Sequence, residues 1–215
     1  MRTNILTSMF PKGFPDWFVK QLEKRIAKRE HLVMVASEFE KNHDMTDYYS
    51  KMFADMFQEA GIEFEHIHIV DSRMTKKEMK DTIQLADVLW LSGGDTPVQY
   101  DYFKKYELIP VIQEYDGIVI GMSAGAINMG KTAVCSLTCQ HTEQTIYEGL
   151  GLVDISVEPH LDSQNVSQEL LEVSKKYSLY GMCDDSVIIN ENHNLTYFGD
   201  IFLIENGVIK QLSKA

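Results

Sequence analysis

The sequence predicts an α/β fold, a doubly wound and mostly parallel sheet flanked by helices, with antiparallel strands towards the C-terminus. Two observations lead there. Through the first half of the chain, short strand-like runs alternate with stretches of helical period, the pattern of βαβ units. After about Ile188 the helical stretches cease, and strand-like pieces follow one another across turn signals.

In chain order, the first strand-like run is His31 to Ala36. The clearest helix follows, about Asp44 to Ala60, where Met45, Tyr48, Tyr49, Met52, Phe53, Met56, Phe57 and Ala60 recur at i, i+3, i+4 and i+7 and Gly61 stops it. That stripe is expected to pack in the core. Phe64 to Val70 is the next strand, with His66 and His68 on one face. A helix over Thr75 to Ala86 leads into the strand Val88 to Leu91, and one helix over Pro97 to Tyr115 leads into Gly117 to Gly121. The Ile118-Val119-Ile120 within that last run suits a strand buried on both faces. Asp154 to His160 reads as a further strand. Ser186 to Ile189, Leu195 to Phe198 and Ile201 to Ile204 are the C-terminal strands, with turns at Asn192-His193-Asn194 and Glu205-Asn206-Gly207. With no internal repeat, low-complexity tract or linker, the 215 residues are expected to form a single domain, residues 1–215.

Composition narrows the partners. A formal charge of -12 argues against nucleic acid and anionic membranes, which require a basic surface. No apolar run approaches the roughly 18 to 20 residues that span a bilayer, and the start, Met1 to Leu6, lacks the long apolar core of a signal peptide. Cys135, Cys139 and Cys183 show no C-x-x-C spacing, so free thiols in a reducing compartment are expected, and the protein is placed in the cytoplasm. A metal site at Cys135, Cys139 and His141 lacks an identified fourth ligand, so no metal is assigned. The oligomeric state stays open, with a homodimer as one option.

The stretch GIVIGMSAGAINMG, Gly117 to Gly130, carries the chemistry. Gly121, Ser123 and Gly125 fit G-x-S-x-G, an apolar strand precedes the serine, and a proline-free run that can open a helix follows it. A serine at so sharp a turn needs neighbours without bulk, which Gly121, Ala124 and Gly125 supply. The plain alternative is an ordinary strand-helix turn with a capping serine. A second glycine-rich turn, LSGGDT from Leu91 to Thr96, ends the preceding strand and falls on the same rim, where open α/β sheets bind ligands. Acyl transfer through serine needs donors for the tetrahedral oxyanion, and losing one typically costs on the order of 100- to 1000-fold in rate. The N–H of Ala124 and an N–H of Gly93 or Gly94 are the candidates. Taken alone, Gly93-Gly94 reads as a tight turn with Asp95 or Thr96 capping the next helix.

Serine also needs a base, and seven histidines compete for that place. His31 opens a strand, His66 and His68 alternate along another, His43 precedes a helix and His193 lies in a turn. His160 ends the run Asp154 to His160, after the elbow and on the same rim; His141 is the second choice.

GGDT at Gly93 to Thr96, GMSAGA at Gly121 to Ala126 and Pro159-His160, in this order and at these separations, resemble the serine peptidase family of dipeptidase E and cyanophycinase. The resemblance covers nearly the whole chain. It implies a fold similar to class I glutamine amidotransferases, with serine replacing their cysteine. It also implies Ser123 as nucleophile, His160 as general base, and Gly94 with Ala124 as oxyanion donors. The family's third member is a carboxylate from a later segment, where Gly181 to Ser186 lies, which makes Asp184 the choice. Its rivals are Asp162, two residues past His160 as in the amidotransferases' H-x-E, and Glu143, in the segment after the elbow. The order Ser, His, Asp differs from the Ser, Asp, His of α/β-hydrolases. One departure bears on specificity. The family's aspartyl dipeptidase activity uses a basic residue after the histidine, and Leu161 to Ser174 contains none, so cleavage after an N-terminal aspartate is not expected.

The expected function is a serine-type peptidase that hydrolyses short peptides or related amides through an acyl-enzyme, without metal or cofactor. Another serine acyl hydrolase or amidase on the same scaffold is the enzymatic alternative. A non-catalytic protein that binds a small metabolite is the other.

Overall fold

A computed structural model describes residues 2–138 and 143–214. Its main sheet has seven strands. β1 (Thr3–Thr7), β2 (His31–Val35), β3 (His66–Val70), β4 (Val88–Leu91) and β5 (Ile118–Met122) run parallel in the order β1-β5-β4-β2-β3. Against them pack α1 (Asp16–Arg25), α2 (His43–Glu59), α3 (Lys76–Leu85), α4 (Thr96–Lys105) and α5 (Ile109–Glu114). A short α6 (Ala124–Met129) leaves the end of β5. The hairpin of β6 (Thr132–Cys135) and β7 (Thr145–Glu148) follows. β8 (Ser156–Pro159), α7 (Gln168–Ser174) and β9 (Leu179–Met182) come next, and then β10 (Val187–Glu191), β11 (Asn194–Phe198), β12 (Ile201–Glu205) and β13 (Val208–Ser213).

Alternation along the central strands fills both faces. Val33, Val35, Leu89, Leu91 and Val119 join one buried cluster, while Leu32, Met34, Val88, Trp90 and Ile120 join the other, so each strand is covered on both sides.

The C-terminal strands are antiparallel, but they divide between two sheets. β10 pairs antiparallel with β1 and β11 extends that edge of the main sheet, whereas β12 and β13 pair with β9 and β8 in a second, four-stranded sheet ordered β13-β12-β9-β8. β8 and β9 within it are parallel. The strand ending at His160 therefore belongs to the second sheet.

Two expectations need correction. The helix expected over Pro97 to Tyr115 is broken in two: Glu107 takes φ 56°, the Leu108 N–H turns back to the Phe103 carbonyl at 2.8 Å, and Pro110 sits in the first turn of α5. Proline's missing N–H costs nothing in a first turn and is costly inside a helix, so the chain restarts there. The apolar stripe of α2 also reaches beyond the core. Phe53, Met56 and Phe57 are buried, yet Met45, Tyr48 and Tyr49 in the first turns are 54%, 64% and 47% exposed.

Candidate active site

The site lies where the C-terminal ends of the two sheets meet. Ser123 follows the last residue of β5, with its backbone N–H held by the carbonyl of Thr7 at the end of β1 (2.9 Å). Its φ of 49° and ψ of -109° are unusual for a residue with a Cβ. The glycines on either side explain why the chain tolerates so sharp a turn. A Cβ on Gly125 would lie 2.1 Å from the Leu91 carbonyl oxygen, and one on Gly121 2.8 Å from the Ala126 nitrogen, so α6 leaves directly over β4 and β5.

On the second sheet, Pro159 and Met182 are register partners on neighbouring parallel strands, and the Leu161 N–H donates to the Met182 carbonyl at 3.0 Å. His160 and Asp184 therefore leave adjacent strand ends. The His160 Nε2 lies 2.9 Å from Ser123 Oγ, and its Nδ1 lies 2.9 Å from Asp184 Oδ1. The carboxylate fixes the tautomer: Nδ1–H donates to Asp184, leaving Nε2 to accept from the serine hydroxyl. Like Ser123, His160 takes a positive φ, 57°.

Ser8, just past β1 and fully buried, ties the two sheets together. Its hydroxyl accepts the His160 backbone N–H at 2.9 Å and donates to Asp184 Oδ1 at 3.1 Å. Sequence reasoning missed it, since a lone serine in Thr7-Ser8-Met9 carries no motif.

The Gly93-Gly94 turn closes the opposite side. A Cβ on Gly93 would approach Met122 Cε to 2.5 Å and Ser123 Cβ to 3.4 Å, while Gly94 turns at φ 148° against Ser37. Asp95 then caps α4, its carboxylate accepting the Val98 N–H at 3.0 Å. Gly93 thus lies against Ser123, with Gly94 next in the same turn and Ala124 opening α6 after the serine.

The rival acids lie elsewhere. Asp162 is exposed and accepts from the Gln164 N–H (3.0 Å) and from Asn165 Nδ2 (2.7 Å). The Asn165 amide, first, and the Gln164 N–H hold that carboxyl below its ordinary range. Glu143 is exposed and makes no hydrogen bond to His160. His141, the other candidate base, and Cys139 and His141 of the metal alternative fall outside the described residues. Cys135 is buried, which raises its thiol to about 11. Among the described residues no three His, Cys, Asp or Glu side chains converge to hold a metal, and no helix is long and apolar enough to cross a membrane.

The family model described as Peptidase family S51 matches residues 10–198. Two solved structures are similar over the whole fold. A peptidase from an acI-B1 Actinobacterium is 15% identical with a TM-score of 0.74, covering 100% of this chain and 95% of its own. A putative peptidase E protein from Listeria monocytogenes EGD-e is 18% identical with a TM-score of 0.65, covering 99% of this chain and 100% of its own. No curated protein sequence matches the chain.

Proposed function

The chain belongs to peptidase family S51, and from that premise we propose that it cleaves short peptides or related amides with Ser123 as nucleophile, His160 as general base and Asp184 as the acid that orients the imidazole. The observation that carries this reading is the unbroken chain from Ser123 Oγ through both nitrogens of His160 to Asp184, each contact 2.9 Å.

His160 Nε2 takes the proton as Ser123 Oγ attacks the carbonyl carbon, and Asp184 stabilises the imidazolium. The oxyanion is met by the N–H of Ala124 and by that of Gly94 or Gly93. His160 then protonates the leaving amine. Water, activated by the same nitrogen, releases the acyl group from Ser123. Nucleophile and charge stabilisation both come from the protein, so no metal or cofactor takes part. The absence of arginine and lysine between Leu161 and Ser174 speaks against an N-terminal aspartate as the preferred substrate.

Labelling by a fluorophosphonate probe tests the nucleophile, with Ser123→Ala as control. Labelling of the wild type alone, together with release of products from a dipeptide and tripeptide library, supports the reading. Equal labelling of both proteins overturns it.

A further inference from the structure

Beside the Gly93-Gly94 turn lies a cavity of about 280 Å³, bounded on its other sides by the segment after β2 and the first turns of α2. We propose that this cavity receives an uncharged apolar or aromatic side chain of the peptide, adjacent to the amide being cleaved. This inference rests on the serine-peptidase reading and names the substrate class that reading leaves open.

Position is the first reason. Gly93 and Gly94 form one wall, and a Cβ on Gly93 would sit 3.4 Å from Ser123 Cβ, so a group in the cavity is separated from the nucleophile by a single turn of backbone. Glycine keeps that wall thin, and any larger residue there would strike Met122 or Ser37.

Chemistry is the second. The periodicity of α2 would bury Met45 and Tyr49, yet both are about half exposed, and both line the cavity. A helix that carries its apolar stripe out of the core and into a cleft beside a nucleophile presents contact surface for a ligand. Tyr48, 64% exposed, packs edge-on against Tyr49 with ring centroids 5.3 Å apart and widens that surface.

Charge is the third. Among the described residues, the ionisable side chains lining the cavity are Glu38, Asp95 and the Tyr49 phenol, with no lysine, arginine or histidine. Burial pushes the Glu38 carboxyl up, but the Tyr102 hydroxyl (2.5 Å) and the N–H groups of Glu40 and Lys41 outweigh it, and the net shift is downward. Glu38 is therefore anionic at neutral pH. An acidic side chain would meet the Glu38 and Asp95 carboxylates with no cation among the described lining residues. On the other side, Glu38 Oε1 already holds three donors and Asp95 Oδ1 caps α4, which leaves one oxygen of each carboxylate for a basic group, so lysine is the charged competitor that the test sets against Phe and Leu.

The test uses the full chain and tripeptides that differ at one position at a time among Phe, Leu, Gly, Asp and Lys. At one position next to the scissile bond, the wild type should favour Phe or Leu over Gly by at least about 10-fold in kcat/KM, the discrimination expected of an apolar pocket. Tyr49→Ala should collapse that ratio, and Met45→Arg should raise Asp relative to Phe, a reversal that a merely structural role would not produce. A wild-type preference for Asp or Lys at both flanking positions overturns the inference. So does an equal loss on all peptides in both variants. A wild type that labels with fluorophosphonate and cleaves every peptide alike overturns the pocket alone; one that neither labels nor cleaves overturns the peptidase reading with it.

Discussion

The Ser8 hydroxyl donates to Asp184 Oδ1 at 3.1 Å, on the oxygen that also faces His160 Nδ1, and in the same position accepts the backbone N–H of His160. One buried side chain thus fixes both the strand end that carries His160 and the Asp184 carboxylate beside its ring. A hydrogen bond to a charged group contributes about 1.5–3 kcal/mol. In the proposed mechanism Ser8 would accordingly act as a positioning residue.

Ser8→Ala should lower kcat/KM by about 10- to 100-fold, the rate equivalent of that hydrogen bond. The loss should fall on kcat rather than KM, because Ser8 holds His160 and Asp184 and not the substrate. A loss confined to KM would show that Ser8 does not act through the pair.

Asp184→Asn should cost as much as roughly 10,000-fold, because the amide favours the wrong imidazole tautomer and leaves the imidazolium unpartnered. Asp162→Asn should change the rate little, since its carboxylate is occupied by Gln164 and Asn165. Peptide turnover by the two variants side by side decides between the acids, and a larger loss at Asp162 would reverse the assignment.

What was legible in the sequence follows from how local each signal is. The parallel strands β2, β4 and β5 announce themselves as apolar runs because both faces are buried, and the turn at Ser123 announces itself because close approach demands Gly121 and Gly125. β1 went unread. It is five residues long and includes Asn4, whose amide is buried and donates to the Leu152 carbonyl, a long-range partner that no short window shows. α1 was missed too: Pro15 precedes it and only Phe18 and Leu22 are buried, too few for a stripe to emerge. The stripe on α2 was visible, but periodicity marks an apolar face without saying what covers it, so Met45 and Tyr49 read as core. Ser8 joins the site only through the meeting of two sheets.

Ser123→Gly should stabilise the fold while abolishing turnover. The φ of 49° and ψ of -109° at Ser123 belong to a strained class that costs about 1–3 kcal/mol for residues other than glycine. Glycine relieves much of that strain, at some loss through the more flexible unfolded chain. Ser123→Ala keeps the strain and should melt close to the wild type. If the glycine variant melted below the alanine variant, the elbow would not be strained in the intact protein.

The last prediction concerns Glu158, two residues before His160 on β8. Its side chain is 2% exposed and accepts from Ser136 Oγ at 2.8 Å and from Thr138 Oγ1. Burial pushes the carboxyl up, the Thr138 and Ser136 hydroxyls pull it partly back, the charge of Glu169 adds to the rise, and the balance stands at about 7 against an ordinary 4.5. The sign follows from proton counting. Between 4.5 and about 7 the unfolded chain has lost this proton while the folded chain keeps it, so stability falls as pH rises through that window. The contribution is fully present below 4.5 and is lost as pH passes about 7. The slope for one such group approaches about 1.4 kcal/mol per pH unit within the window. Glu158→Gln keeps a carbonyl to accept from both hydroxyls but cannot ionise, so its stability relative to the wild type should rise from pH 5 to pH 7. Urea unfolding of both proteins at pH 5, 6 and 7 measures the difference, which cancels every other titrating group the two share. Parallel stability profiles would mean that Glu158 carries its charge when folded, and the buried pocket beside His160 would then have to hold a carboxylate rather than a carboxylic acid.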